Sequence, residues 1–266
     1  MGVLRYKIIN DLWKNRGRTL QVMLIIGIGA AAIGMILGTR DLVIPGMQDQ
    51  WQAIHPASIN FFVGPPVTED ELEVLKRTDD VKQVEGASAT TIEWRLDPAG
   101  EWKQGGLNAR ADYESQQLNT LELLEGDWPD ENALALGQDG DTFYGIPKNS
   151  TVYLRINGRE EAFPLSGMVY NMFVQPAAFG GTPQFYASQE TYERLTESTG
   201  FGQLLISTTY TEYSEEQTAE VADRVQDRLE DMNKGAARFL IDPNKHFFQD
   251  QLDGLFFLLG ILGMLA

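Results

Sequence analysis

At 266 residues the chain can bury the core of one large domain or two modest ones. Its formal charge of -17 is unevenly spread: residues 1–40 carry six basic side chains against one acid, Asp11, whereas the other 226 carry 15 against 37. So acidic a region repels phosphate backbones, which excludes nucleic acid as a partner, and the absence of cysteine excludes disulfides and thiolate metal sites.

Residues 1–19 place Leu4, Ile8 and Leu12, with Tyr6, Ile9 and Trp13 beside them, at helical spacing. Lys7, Lys14, Arg16 and Arg18 are then available for anionic headgroups, as in a helix lying along the inner leaflet. A plain continuation of the following membrane helix is the alternative.

Leu20 to Thr39 is a run of twenty uncharged residues. At 1.5 Å per residue this is roughly 30 Å, the thickness of a hydrocarbon core. The excess of bases before the run predicts a cytoplasmic N-terminus and an external domain after it. A cleaved signal peptide fits less well, because its apolar region is only about 7–15 residues long. Ala30, Gly34 and Gly38 fall at i, i+4, i+8, a stripe of small residues against which another helix could pack closely.

Beyond the span, residues 41–57 predict a short helical extension interrupted near Pro45-Gly46. Ser58–Val63 alternates as a strand that Pro65-Pro66 should end. Thr68 and Glu71 have capping-box spacing ahead of a helix to about Thr78. Val81–Val84, Ala87–Leu96 and Gly106–Ala111 read as strands, with a turn at Asp97–Gly100. Residues 112–200 are rich in glycine, proline and acids. Within them Asn157-Gly158 between two alternating runs predicts a type I′ hairpin. Phe185–Ala187 reads as a strand leading into a helix over 189–198. Gln203–Thr209 and Ala237–Ile241 read as strands flanking a helix that starts with a second capping box at Ser214 and ends at Gly235. The predicted fold class is α+β: an α/β part at about 55–111 and 201–242, bracketing an inserted β-rich part at about 112–200. The chain then turns apolar again. Gly254–Ala266 is uncharged, at roughly 20 Å too short to cross, and is expected to be the start of a second transmembrane helix that the sequence cuts short.

No nucleophile elbow, HExxH, P-loop or GxGxxG pattern occurs, so no catalytic, cofactor or metal residue is assigned. His55 and His246 fall near the two membrane ends of the external region without a ligand motif around them. Asp139-Gly140-Asp141 lacks the bidentate glutamate of a calcium loop.

Three stretches together carry a family resemblance. They are the opening LRYKIINDLWKNRGRTLQVMLIIGIGAAAIGMILG; the passage LLEGDWPDENALALGQDGDTFYGIPKNSTVYLRINGREEAFPLSGMVYN; and FYASQETYERL with the strand QLLIST after it. They resemble the FtsX-like permeases of ABC transporters, the group of macrolide exporters, lipoprotein-release and cell-division permeases. Ile146–Ser150 departs from that family's Gly-rich entry to the hairpin. The resemblance implies a membrane-anchored extracytoplasmic domain over residues 40–253, with a "porter" part, an inserted "sabre" and a transmembrane helix on each side. It implies an inner or plasma membrane location, a separate cytoplasmic ABC ATPase subunit, a second permease copy or homologue, and no enzymatic activity in this chain. Residues 39–55 and 242–254 would be the levers that transmit ATP-driven work to the external domain. The competing expectation is a transmembrane sensor receptor with an external ligand-binding domain. It is disfavoured on the ground that Pro45-Gly46 and Pro56 would break the long continuous helix such receptors carry.

Overall fold

The computed structural model describes residues 13–246 and 248–265. The chain divides into two compact units, one of residues 1–50 with 245–266 and one of residues 51–244.

Among the described residues the first unit contains two apolar helices. Helix α1, Arg16–Ala53, is 38 residues long and runs unbroken through Pro45. The break expected at Pro45-Gly46 does not occur. Proline removes one backbone N–H and crowds the carbonyl four residues earlier. Here that carbonyl belongs to exposed Asp41, next to charged Arg40, where water can satisfy it. By length and composition α1 is the one helix among the described residues able to cross a membrane. Helix α5, Gln249–Leu265, is shorter and more apolar on average. The expected inner-leaflet segment lies mostly outside the described residues, Lys7 among them.

The second unit contains ten strands and three helices of at least seven residues. The strands are β1 (Ile59–Val67), β2 (Val81–Arg95), β3 (Lys103–Arg110), β4 (Glu122–Gly126), β5 (Leu134–Gly137), β6 (Thr151–Ile156), β7 (Arg159–Tyr170), β8 (Gln184–Ser188), β9 (Phe201–Thr208) and β10 (Gly235–Leu240). The helices are α2 (Glu69–Leu75), α3 (Gln189–Thr196) and α4 (Glu215–Asp231).

One end is an open α/β layer. Strands pair in the order β10-β1-β9-β2, and α4 covers them with Val221, Ala222, Val225 and Leu229, all fully buried. Those residues recur at i, i+1, i+4 and i+8, so one apolar stripe faces the sheet. The other end closes on itself. β2 pairs β3, β3 pairs β8, β8 pairs β5, β5 pairs β7, β7 pairs β6, and β6 returns to β2. This six-stranded ring encloses a second core, in which Trp94, Leu107, Leu136, Leu154, Phe163 and Phe185 are each at most 2% exposed. Closure removes most of the unpaired edges that a short-stranded sheet would otherwise show.

The inserted β-rich part is therefore not self-contained. The ring is completed by β2 and β3, which the sequence reading assigns to the bracketing α/β part. Strand β2 serves both cores: Val81–Ala87 pairs with β9, and Glu93–Arg95 pairs with β6. At the changeover sits Gly86. A methyl group there would lie 2.2 Å from the Phe201 ring, so only glycine lets that ring pack down on the strand.

Thr68 and Glu71 form the full reciprocal capping box, and Ser214 caps α4 by accepting the Gln217 N–H. The hairpin turns through Asn157 and Gly158 with φ of 51° and 80°, the type I′ pattern. Pro65-Pro66 does not end β1, which continues to Val67 with a register irregularity after Phe62. The two strands expected at 81–84 and 87–96 are one. Helix α4 stops at Met232, before Gly235, because Asn233 takes the left-handed conformation (φ 58°) and Gly235 opens β10.

Candidate functional site: the apolar helices and a mixed-charge cleft

In the first unit, the half-covered residues of α1 include Gly29, Ile33 and Ile36, a stripe at helical spacing that Ile44, Met47 and Gln48 continue. Ala30, Gly34 and Gly38 lie on the exposed side, and a Cβ added at Gly34 or Gly38 would meet nothing within 4 Å. Lys14, Arg16 and Arg18 are exposed near the start of α1. Arg40 of α1 donates to Asp253 of α5 at 2.9 Å. Ahead of α5, the backbone N–H of His246 donates to the Gln48 side chain at 3.3 Å, and the Phe248 N–H donates to His246 Nδ1 at 3.1 Å. The buried imidazole thus works as an N-terminal cap, and desolvation lowers its pKa below the usual 6.5.

In the second unit, the end of α1 is locked into the domain. Trp51 is completely buried and its ring lies 5.3 Å from that of Phe173. His55 ends the helix with φ 50°, and its carbonyl accepts the Asn119 N–H at 3.0 Å. Asn119 Oδ1 accepts the Ala57 N–H at 2.8 Å, and the Thr120 N–H reaches the Ile54 carbonyl at 2.8 Å. His55 is thus a helix terminator; Asn119, 5% exposed, is the stitch. Nothing in the sequence marks Asn119, because its role depends on a contact 62 positions away.

Asn119 is also tied to a cleft. Arg110, the last residue of β3, donates from Nη2 to the Asn119 carbonyl at 3.1 Å. Its Nη1 is buried without a hydrogen-bond partner and lies 3.9 Å from Glu85 Oε2 on β2, too far for a hydrogen bond. The Arg110 side chain is 11% exposed and that of Glu85 19%. Glu85 Oε1 accepts the Gln117 N–H at 2.6 Å, yet burial still raises its carboxyl above the normal value. Both residues line a cleft of about 530 Å³. Glu69, Asp70 and Glu73 of α2, Lys76, Asp112 and Phe201 line it as well. Lys76 is held by Glu73 at 2.6 Å.

No group of three or more histidine, aspartate and glutamate side chains suited to a metal converges among the described residues. Asp139 spends its carboxylate on the Ala177 N–H, and Asp141 faces Lys148 at 3.7 Å. Both are turn residues.

No family model and no curated protein matches the sequence. Some solved structures are similar to the chain. The extracellular domain of the noncanonical ABC-type transporter YknZ from Gram-positive bacteria is 13% identical with a TM-score of 0.47, over 69% of this chain and 99% of that one. The periplasmic region of MacB from Actinobacillus actinomycetemcomitans is 11% identical with a TM-score of 0.47, over 77% and 94%. A domain of a putative permease from Porphyromonas gingivalis is 12% identical with a TM-score of 0.44, over 76% and 97%. These structural neighbours are transporter permease domains.

Proposed function

We propose that this chain belongs to the permease subunit of an ABC transporter of mechanotransmission type. In this reading α1 crosses the membrane from a cytoplasmic N-terminus, residues 51–244 form the external domain, and α5 carries the chain back toward the membrane. ATP is hydrolysed by a separate cytoplasmic subunit. The motion it drives passes along the helices to the external domain, which moves or extracts a hydrophobic or lipid-linked substrate. The observation that supports the reading is the layout: a 38-residue helix long and apolar enough to span a membrane precedes the domain of residues 51–244, and a second apolar helix follows it. The three sequence stretches that resemble FtsX-like permeases support the same assignment.

The unbroken helix removes the ground on which a sensor receptor is disfavoured, since it has the continuity such receptors use. The sensor reading therefore stands as the second one. The two part on the energy source. In nanodiscs, the full protein combined with a candidate ABC ATPase subunit should raise that subunit's ATPase rate, and ATP addition should shift a spin-label distance between the membrane helix and the external domain. A stable complex with neither effect overturns the permease reading.

A further inference from the structure

The cleft beside Arg110 holds one charged group short of a partner, while Glu85 opposite accepts the Gln117 N–H. Arg110 Nη1 is buried with no acceptor, and Glu85 Oε2 stops 3.9 Å short of it. Leaving a buried charged donor short of a hydrogen bond is costly, so a ligand that supplies an acceptor to Arg110 Nη1 is favoured there. The side facing Arg110 calls for a carboxylate, the group a guanidinium binds best. Net charge forbids a simple anion, because five acidic residues line the cleft against Lys76 and Arg110. The cleft's volume of about 530 Å³ falls within the range of small-ligand sites, roughly 300–1,000 Å³.

We infer that this cleft binds a small ligand carrying one carboxylate and one or more cationic amines, such as the free C-terminus of a short basic peptide. The carboxylate docks at Arg110. An amine lies against Glu85, and further cationic groups meet Glu69, Asp70 and Asp112. Because Arg110 also holds the Asn119 carbonyl, and Asn119 holds the backbone at His55 and Ala57, occupancy is coupled to the segment that ends α1. The site stands independently of the transport or sensing reading.

The test is calorimetric titration of trilysine with a free C-terminus into the full chain in neutral detergent, at about 50 mM and about 300 mM salt. Trilysine amide and triglutamate serve as comparators. Trilysine should bind, more weakly at the higher salt, and the amide should bind about tenfold or more weaker, because it lacks the carboxylate for a charge-assisted bond. Triglutamate should not bind. Asp70→Asn with Glu73→Gln, both on the surface of α2, should weaken trilysine and flatten its salt dependence. Arg110→Lys should narrow the difference between acid and amide. Absence of trilysine binding at millimolar concentration overturns the inference. So does equal affinity for acid and amide, a result obtained on the unmutated protein and therefore untouched by any folding defect of the variants.

Discussion

Individual residues decide more here than their chemistry alone suggests. Thr68 is an ordinary threonine until Glu71 closes the capping box with it. Thr68→Ala should cost about 1 kcal/mol in chemical denaturation, with the loss confined to α2. Gly86 is a second case. Gly86→Ala drives a methyl into the Phe201 ring, and overpacking of this kind costs about 1–3 kcal/mol, read as a lowered denaturation midpoint. His246 gives a pH dependence with a definite sign. Its folded pKa lies below 6.5, so the neutral ring's contribution is fully present above pH 6.5. That contribution is lost as pH falls through the folded value, because the unfolded chain takes up the proton first. Protonation also removes the acceptor for the Phe248 N–H. The imidazole should titrate below 6.5 by NMR, and amide protection at the start of α5 should fall with it. A titration at or above 6.5 would contradict the buried cap.

Among elements, α1 is the most informative. The break that Pro45-Gly46 suggests is a local preference of one residue, set against a helix already formed on both sides of it. Helix formation is cooperative, and a single lost hydrogen bond near water does not stop it. If the helix is continuous, Pro45→Ala should restore the bond to Asp41 and raise amide protection over residues 41–46. A chain already broken there would show no such gain. Strand β2 illustrates the converse. Two short strand signals on either side of Glu85-Gly86 become one strand of 15 residues because two separate cores each bury one half of it. Phe163→Ala, in the ring-shaped core, should therefore destabilise by about 3–5 kcal/mol on denaturation. Its effect should propagate through β2 to the pairing with β9.

On the scale of the whole molecule, the permease reading makes the exposed stripe of α1 a mechanical surface. Ala30, Gly34 and Gly38 face away from the half-covered stripe of Gly29, Ile33 and Ile36. Small residues there permit a second permease helix to approach closely. Gly34→Leu with Gly38→Leu should leave ATPase assembly intact and uncouple hydrolysis from transport. Full coupling in that variant would exclude close packing at the stripe. The Arg40–Asp253 contact tests the link between helices: Arg40→Ala and Asp253→Ala should each weaken coupling, and the double variant should lose little more than either single one.

Features legible in the residues alone are those that short-range physics controls. A run of twenty uncharged residues states its own length against a bilayer. The Thr68 and Ser214 caps, the Asn157-Gly158 turn and the apolar stripe of α4 are all read within a few neighbouring positions. Tertiary structure alone decided the rest. Closure of the strand ring requires β2 to meet β6 some 60 positions away, and no local pattern encodes that pairing. The Glu85–Arg110 cleft arises because the two strands lie side by side, and Asn119 gains its role because its loop meets the end of α1. Burial then gives these ordinary polar residues their energies, since a charge or an amide costs little in water and much when it is short of partners inside a protein.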